Sequence, residues 1–309
     1  MAIETLYQAF KNEFDLVSII DSDRYVKLSK EYGISIPNVS YNKIIALGLA
    51  YPKRVLKSTN DTLYGSIYTF GTDYHTVMKD KIKKVMSNFD YKYELGVDNH
   101  PHNDRLAALA SGLGFFGKNQ LIINKDYGSF FFLGMVFLNI DDLKEIYLEN
   151  SDSCGDCRIC IDACPTNALS ENGYDYKNCI SYFNQEKKVL NDSEIKANYC
   201  LFGCDICQLI CPKNISLKSS NFNSFELSGK EGVSIEDLFN LSEKEFKIKY
   251  ENMAYLWKGK TVLLRNGLTL LLRQNNSNYN HFIEESLKKY LSSWYQETAK
   301  NILKKLANK

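Results

Sequence analysis

The run Cys154-Gly-Asp-Cys157-Arg-Ile-Cys160-Ile-Asp-Ala-Cys164-Pro165 decides the reading of this chain, together with its partial repeat Cys204-Asp-Ile-Cys207-Gln-Leu-Ile-Cys211-Pro212. The first is C-x2-C-x2-C-x3-C-P, the spacing of a bacterial two-cluster ferredoxin. Three closely spaced thiolates wrap one cubane, and the cysteine before the proline points away to serve a second. By that crossed rule Cys154, Cys157 and Cys160 hold one 4Fe–4S cluster with Cys211. Cys164, Cys204 and Cys207 then hold the other. The regular run places the missing fourth ligand at position 201, which is Leu201, so Cys179 and Cys200 are the candidates.

All nine cysteines fall between Cys154 and Cys211. C-x2-C pairs also bind zinc, but two C-x3-C-P endings exceed what a zinc site needs. Cys200-x3-Cys204-x2-Cys207 matches the spacing of a radical S-adenosylmethionine cluster. That motif normally opens a barrel near the start of a chain and does not follow a ferredoxin run.

Outward from the cysteines, composition is that of an ordinary globular protein, 44% hydrophobic and 24% charged, with a formal net charge of +1. No global field draws the chain to nucleic acid or membrane, so polyanion binding needs a local patch. The start, Met1 to Leu16, mixes acidic and basic residues at helical spacing and is not a secretory signal. The most apolar stretch, Phe130–Leu138, falls short of the ~20 residues of a membrane span. The expectation is a cytoplasmic protein, where clustered cysteines signal metal or redox chemistry.

The region before the cysteines has mixed periodicities. Lys43–Tyr51 is an apolar run of strand length, Asp73–Phe89 an amphipathic helix, and Tyr91–Val97 an alternating strand. Asn103–Leu113 has a helix start and is closed by glycines. Leu121–Asn124 and Phe130–Ile140 read as two strands joined by the Asp126-Tyr127-Gly128 turn. After Pro212 come three helical stretches, Ile235–Tyr250, Lys260–Arg273 and His281–Leu306. The last two suggest one helix pair of the kind that begins an α-solenoid. The expected fold is α+β: an α/β sheet domain at 1–148, a ferredoxin-like two-cluster domain at 149–216, and a short HEAT-like helical cap at 217–309.

The chain also resembles the epoxyqueuosine reductases, over nearly its whole length. The matching blocks are Tyr68-Thr-Phe-Gly71-Thr-Asp73-Tyr74-His75, then Val97-Asp98 with Asp104-Arg105, Gly112-Leu-Gly114-Phe-Phe-Gly117-Lys118-Asn119, and Gly128-Ser129 through Leu133-Gly134. Cys179-Ile-Ser-Tyr, Gly203-Cys204-Asp205-Ile-Cys207-Gln208, Cys211-Pro-Lys-Asn214 and Leu264-Arg265-Asn266 follow. Their order around a doubled ferredoxin run is the specific feature. Phe70 stands where the family often has a basic residue, and the helical repeats of longer members are reduced to about one pair.

The resemblance implies reduction of epoxyqueuosine to queuosine at the tRNA wobble position, with cobalamin and two 4Fe–4S clusters. It implies Cys179 as the remaining cluster ligand, with Cys200 spare. It implies Asp98 as a general acid beside the corrin, where burial should raise its pKa. The corrin is expected against Ser66, Asp98, Lys118, Ile122, Leu133, Ile180, Cys204 and Asp205. Asp73-Tyr-His75 is a fragment of a corrinoid signature, but Met78 replaces its glycine, so His75 is read as a helix-start residue. Basic candidates for RNA phosphates are Arg105, Lys187, Lys188, Lys213, Lys258, Lys260 and Arg265, with Arg105 and Lys187 foremost. The expected partners are epoxyqueuosine-modified tRNA and an external low-potential electron donor, for a monomer free of membrane. Two other readings are a reductive dehalogenase, with the same cofactors, and a ferredoxin-type carrier with an accessory domain. The first commonly has an export signal and membrane partners; the second leaves the ~150 residues ahead of the clusters unexplained.

Overall fold

A computed structural model describes residues 2–149 and 152–308; Met1, Asn150, Ser151 and Lys309 lie outside the described residues. The chain forms two compact units, each assembled from separate stretches. The first comprises Met1–Pro52, Tyr74–Ile159 and Gln208–Phe225, and the second Lys53–Asp73, Cys160–Cys207 and Glu226–Lys309.

The first unit is built on a four-stranded antiparallel sheet of β1 (Leu16–Asp21), β2 (Lys43–Ala50), β3 (Tyr93–Gly96) and β4 (Phe131–Leu138), in the order β1-β2-β4-β3. Ile45 pairs with both Ile19 and Val136, and Gly96 with Met135. Every residue of β2 is buried, which explains its unbroken apolar sequence: both faces of the sheet are covered, so alternation has no use. On one face Ile20, Ile44, Met135 and Phe137 pack with Tyr25 of α2 (Ser22–Glu31) and with Leu106, Ala107 and Ala110 of α4 (Asp104–Ala110). On the other, Gly134 leaves room for Met78 and Ile82 of α3 (Tyr74–Met86). Helix α1 (Ala2–Lys11) precedes β1. Asn103 caps α4 by accepting from the Leu106 N–H at 2.9 Å, as its residue type predicts.

The expected hairpin across Tyr127-Gly128 does not form. Ile122–Ile123 pairs with Phe115–Phe116 instead, and Phe131–Leu138 joins the large sheet. The turn itself is present, with one bridge between Asn124 and Gly128. The Asn124 carboxamide oxygen accepts from the backbone of Asp126 and Tyr127, and its amide donates to the Leu113 carbonyl. That local Asx turn ends the ladder after a single bridge.

The second unit is mainly helical. Its helices α5 (Ile235–Asn240), α6 (Glu243–Lys249), α7 (Lys260–Arg273), α8 (Asn280–Lys289) and α9 (Ser293–Ala307) surround one apolar core. Helix α7 is buried at every residue from Val262 to Leu272, its leucines together with Arg265, Asn266 and Thr269, as befits a helix surrounded by the others. Two of the expected helices are each broken. Ile235–Tyr250 divides at Ser242, which forms a capping box with Glu245; a Ser-x-x-Glu pattern starts a helix rather than continuing one. His281–Leu306 divides at residues 290–292, where Ser292 adopts an extended backbone as the N-cap of α9. Among the described residues no helix is long and apolar enough to cross a membrane.

Candidate functional site

In the first unit, Asp98 follows β3 in the loop that leads to the cap of α4. Its φ is +51°, a left-handed conformation that costs a non-glycine residue energy and clusters at functional sites. Its Oδ2 lies 2.9 Å from Nε2 of His75, the second residue of α3. Tyr74 adds a second side-chain hydrogen bond, and Arg105 contributes positive charge. Stacking of Tyr74 on Phe132 of β4, with ring centroids 4.2 Å apart, fixes the start of α3 beside the sheet.

These partners hold the Asp98 carboxyl below the ordinary carboxylate range, the His75 hydrogen bond contributing most. Desolvation acts in the opposite direction, as the sequence argument expects, but is outweighed. The sequence reading of His75 as a helix-start residue is right about its position and misses its partner, because Asp98 lies 23 residues away in the chain.

Cys154, Cys157 and Cys211 are also in the first unit, and burial together with the neighbouring thiols pushes the Cys211 thiol up. Cys211 and Cys154 pack with Phe115 and Ile123. The backbone N–H of Lys118 donates to Cys154 Sγ at 3.4 Å, so Lys118 acts here through its main chain. Ile122 is core, whereas Leu133 is the one half-open residue of β4.

In the second unit Cys207 is surrounded by Cys204, Cys179, Cys160 and Cys164. Burial and these neighbours push its thiol up, and that of Cys204 up to about 12. Cys200 is buried and aims its thiol at backbone carbonyls, donating to those of Phe202 at 3.3 Å and Tyr64 at 3.6 Å. The Tyr199 hydroxyl donates to Cys204 Sγ at 3.5 Å while accepting from the Asp205 N–H at 2.7 Å.

Ser66 and Asp205 are buried and satisfy one another: the Ser66 hydroxyl and the Ile67 N–H both donate to the Asp205 carboxylate. Burial nevertheless pushes the Asp205 pKa up. Gly203 turns the chain here with φ +80°, and a Cβ on it would fall 2.6 Å from that of Ser66. Ile180 belongs to the core of this unit.

The basic candidates separate clearly. Arg105 and Lys187 are exposed, the former also donating to the Gln120 carbonyl. Lys188 pairs with Glu194, Lys213 with Asp152 and Lys258 with Glu186. Lys260 and Arg265 are corrections, since both are buried. Lys260 donates to the Leu241 carbonyl and the Tyr290 hydroxyl. Arg265 donates to the carbonyls of Asn184, Glu186 and Lys188 and to the Asn266 side chain. Neither can reach an RNA phosphate while these bonds hold.

Chemically, a group of close, buried thiols repels its own ionised form, and a bound cation is what makes four thiolates compatible in such a space. Among the described residues no three His, Cys, Asp or Glu converge on a single-ion site. A cubane, with iron at alternate corners, accepts thiolates spread more widely than a tetrahedral ion does.

Comparison with known proteins agrees with this geometry. Residues 39–101 match the family described as "Epoxyqueuosine reductase QueG, DUF1730", and residues 153–214 match a 4Fe-4S double cluster binding domain. The epoxyqueuosine reductase of Lactococcus garvieae is 33% identical over 281 residues, covering 86% of this chain and 79% of that protein. That of Staphylococcus aureus is 32% identical, covering 81% and 68%. The solved epoxyqueuosine reductase of Streptococcus thermophilus superposes with a TM-score of 0.83 at 25% identity, over all of this chain and 91% of that one. An epoxyqueuosine reductase crystallised with a tRNA-Tyr epoxyqueuosine-modified stem loop shares the fold, with a TM-score of 0.78 at 24% identity and 98% of each chain covered.

Proposed function

This chain belongs to the epoxyqueuosine reductase family, and on that premise we propose that Asp98, paired with His75, delivers a proton to the epoxide oxygen of its substrate. The protein is an oxidoreductase that reduces epoxyqueuosine to queuosine in tRNA, with two 4Fe–4S clusters and cobalamin as cofactors. Converting the epoxide to an alkene and water consumes two electrons and two protons. Cobalamin, when bound, would supply the two electrons, and the clusters would deliver them to it one at a time.

The chain's own residues supply position and protons. The single observation that carries the Asp98 assignment is its contact with Nε2 of His75 at 2.9 Å. An imidazole at that distance can hold a proton beside the carboxyl, so the two groups together can donate although the carboxyl alone is a stronger acid than usual. The Asp98 side chain is 53% exposed, open to an incoming group. Leu133, half-open on a buried strand, suits the apolar edge of a corrin, and Asp98, Lys118, Ile122, Leu133, Ser66, Ile180, Cys204 and Asp205 remain the proposed corrin neighbours. Cys154, Cys157, Cys160 and Cys211 are proposed for one cluster, and Cys164, Cys179, Cys204 and Cys207 for the other. Cys200 is left out because its thiol is directed at carbonyls. Arg105 and Lys187 are proposed phosphate contacts, supported by their exposure.

The same reading divides the chain by role: 1–148 for cobalamin and proton transfer, 149–216 for electron supply, 217–309 as helical cap. It places the protein in the cytoplasm as a monomer served by an external low-potential electron donor. The test is Asp98→Asn, since asparagine tolerates a positive φ better than alanine. The variant is expected to keep both clusters and corrin binding while turnover falls by about 10²-fold or more. Undiminished turnover removes Asp98 from the mechanism.

A further inference from the structure

Tyr199 has a hydroxyl with two partners of different kinds. It accepts from the Asp205 backbone N–H at 2.7 Å and donates to Cys204 Sγ at 3.5 Å. A phenol has a single proton, so occupation of its oxygen by the Asp205 N–H leaves that proton to the sulfur. The acceptor side is itself immobilised, because the Asp205 carboxylate is held by Ser66 and by the Ile67 N–H. The Ile206 backbone also bonds to the Cys204 sulfur. Cys204 is thus a thiol equipped with fixed donors before any cluster is present.

We propose that Tyr199 sets the reduction potential of the cluster ligated by Cys204, through its O–H···S hydrogen bond. This rests on the assignment of Cys204 as a cluster ligand. The reasoning is electrostatic. One-electron reduction adds negative charge that is shared by the ligand sulfurs, and a hydrogen-bond donor aimed at a sulfur stabilises the reduced form more than the oxidised form. The electron comes from the external low-potential donor. No proton moves: the tyrosine keeps its own in both states. The effect raises the potential of this cluster relative to one lacking the donor. Reduction is thereby favoured, and the cluster becomes a weaker reductant toward whatever it feeds.

The experiment is an anaerobic redox titration of the full chain with reconstituted clusters, using dithionite and mediators, and following the EPR signal of each reduced cluster. Tyr199→Phe keeps the ring and removes the hydroxyl. The second cluster is expected to remain, and its reduction equilibrium to shift about tenfold toward the oxidised form, a fall of about 59 mV for a one-electron couple. A second readout comes from pulsed EPR of the reduced wild-type protein in H2O and D2O. It should detect an exchangeable proton coupled to this cluster that Tyr199→Phe lacks. An unchanged potential with the cluster intact overturns the proposal, and so does an unchanged proton coupling. Loss of the second cluster from Tyr199→Phe also overturns it, by making the role structural. Failure of the underlying ligand assignment shows separately: Cys204→Ala then retains about eight irons and both EPR signals.

Discussion

Nε2 of His75 and Oδ2 of Asp98 stand 2.9 Å apart, joining the first turn of α3 to the loop after β3. The contact supplies the largest influence on the Asp98 carboxyl and holds it below the ordinary range. Its consequence reaches both protonation and stability.

Removing the imidazole in His75→Ala should let the Asp98 pKa rise. The carboxyl then donates alone, without the proton held by the imidazole, so the alkaline limb of kcat/KM should move to lower pH in the variant. The stability effect runs with the sign of a depressed carboxyl. Its contribution is present above the ordinary aspartate pKa and is lost as pH falls through the lower folded value. Asp98 is exposed, so the effect on stability should stay within about 1 kcal/mol at neutral pH. The difference in Tm between variant and wild type should shrink below about pH 4. A pH profile identical to wild type would separate His75 from proton delivery.

Two cysteines discriminate the ligand assignment. Cys179→Ala should lower iron from about eight to about four per chain and abolish one EPR signal, whereas Cys200→Ala should retain both clusters. Cys200 is fully enclosed, with its thiol turned to the carbonyls of Phe202 and Tyr64, so its truncation costs packing instead. Cluster loss from Cys200→Ala with retention in Cys179→Ala would reverse the assignment.

Lys187 and Arg265 should respond in opposite ways. Lys187→Ala is expected to weaken tRNA binding without unfolding the protein, and to reduce the salt slope by about 0.7–0.9. Arg265→Met strands several buried carbonyls that the guanidinium now satisfies. It should cost about 3 kcal/mol or more in denaturation, while RNA affinity per folded molecule stays level. Filter binding across a salt series, with denaturant melts on the same samples, measures both.

The legible part of this protein is local. The double-cluster region is readable because its cysteine spacing is a property of a few consecutive residues. Strand β2 and helix α7 are readable because each is one uninterrupted pattern. The α4 cap at Asn103 is likewise a single residue acting on its neighbours. Where a local pattern admits two partners the reading fails, as at Ile122–Ile123. Those residues are strand-like in either arrangement, and only the Asx turn at Asn124 and the nearby Phe115–Phe116 choose between them. Two of the three helices expected after Pro212 are divided, one at Ser242, whose side chain caps the next helix, and one at residues 290–292, where Ser292 is extended.

Charge is the clearest case of what sequence withholds. Arg265 and Lys187 look equally suited to phosphate along the chain, yet one is wholly buried and the other exposed. The sequence by itself determined two 4Fe–4S clusters, an α+β chain and, through its ordered motifs, the family. Tertiary structure alone decided that His75 meets Asp98, that Tyr199 meets Cys204 while the Cys200 thiol meets backbone carbonyls, and that Arg265 serves the core. The physical reason is range. Ligand spacing and helix periodicity are set by bonds between near neighbours, whereas a hydrogen bond between distant residues exists only after the backbone between them has folded.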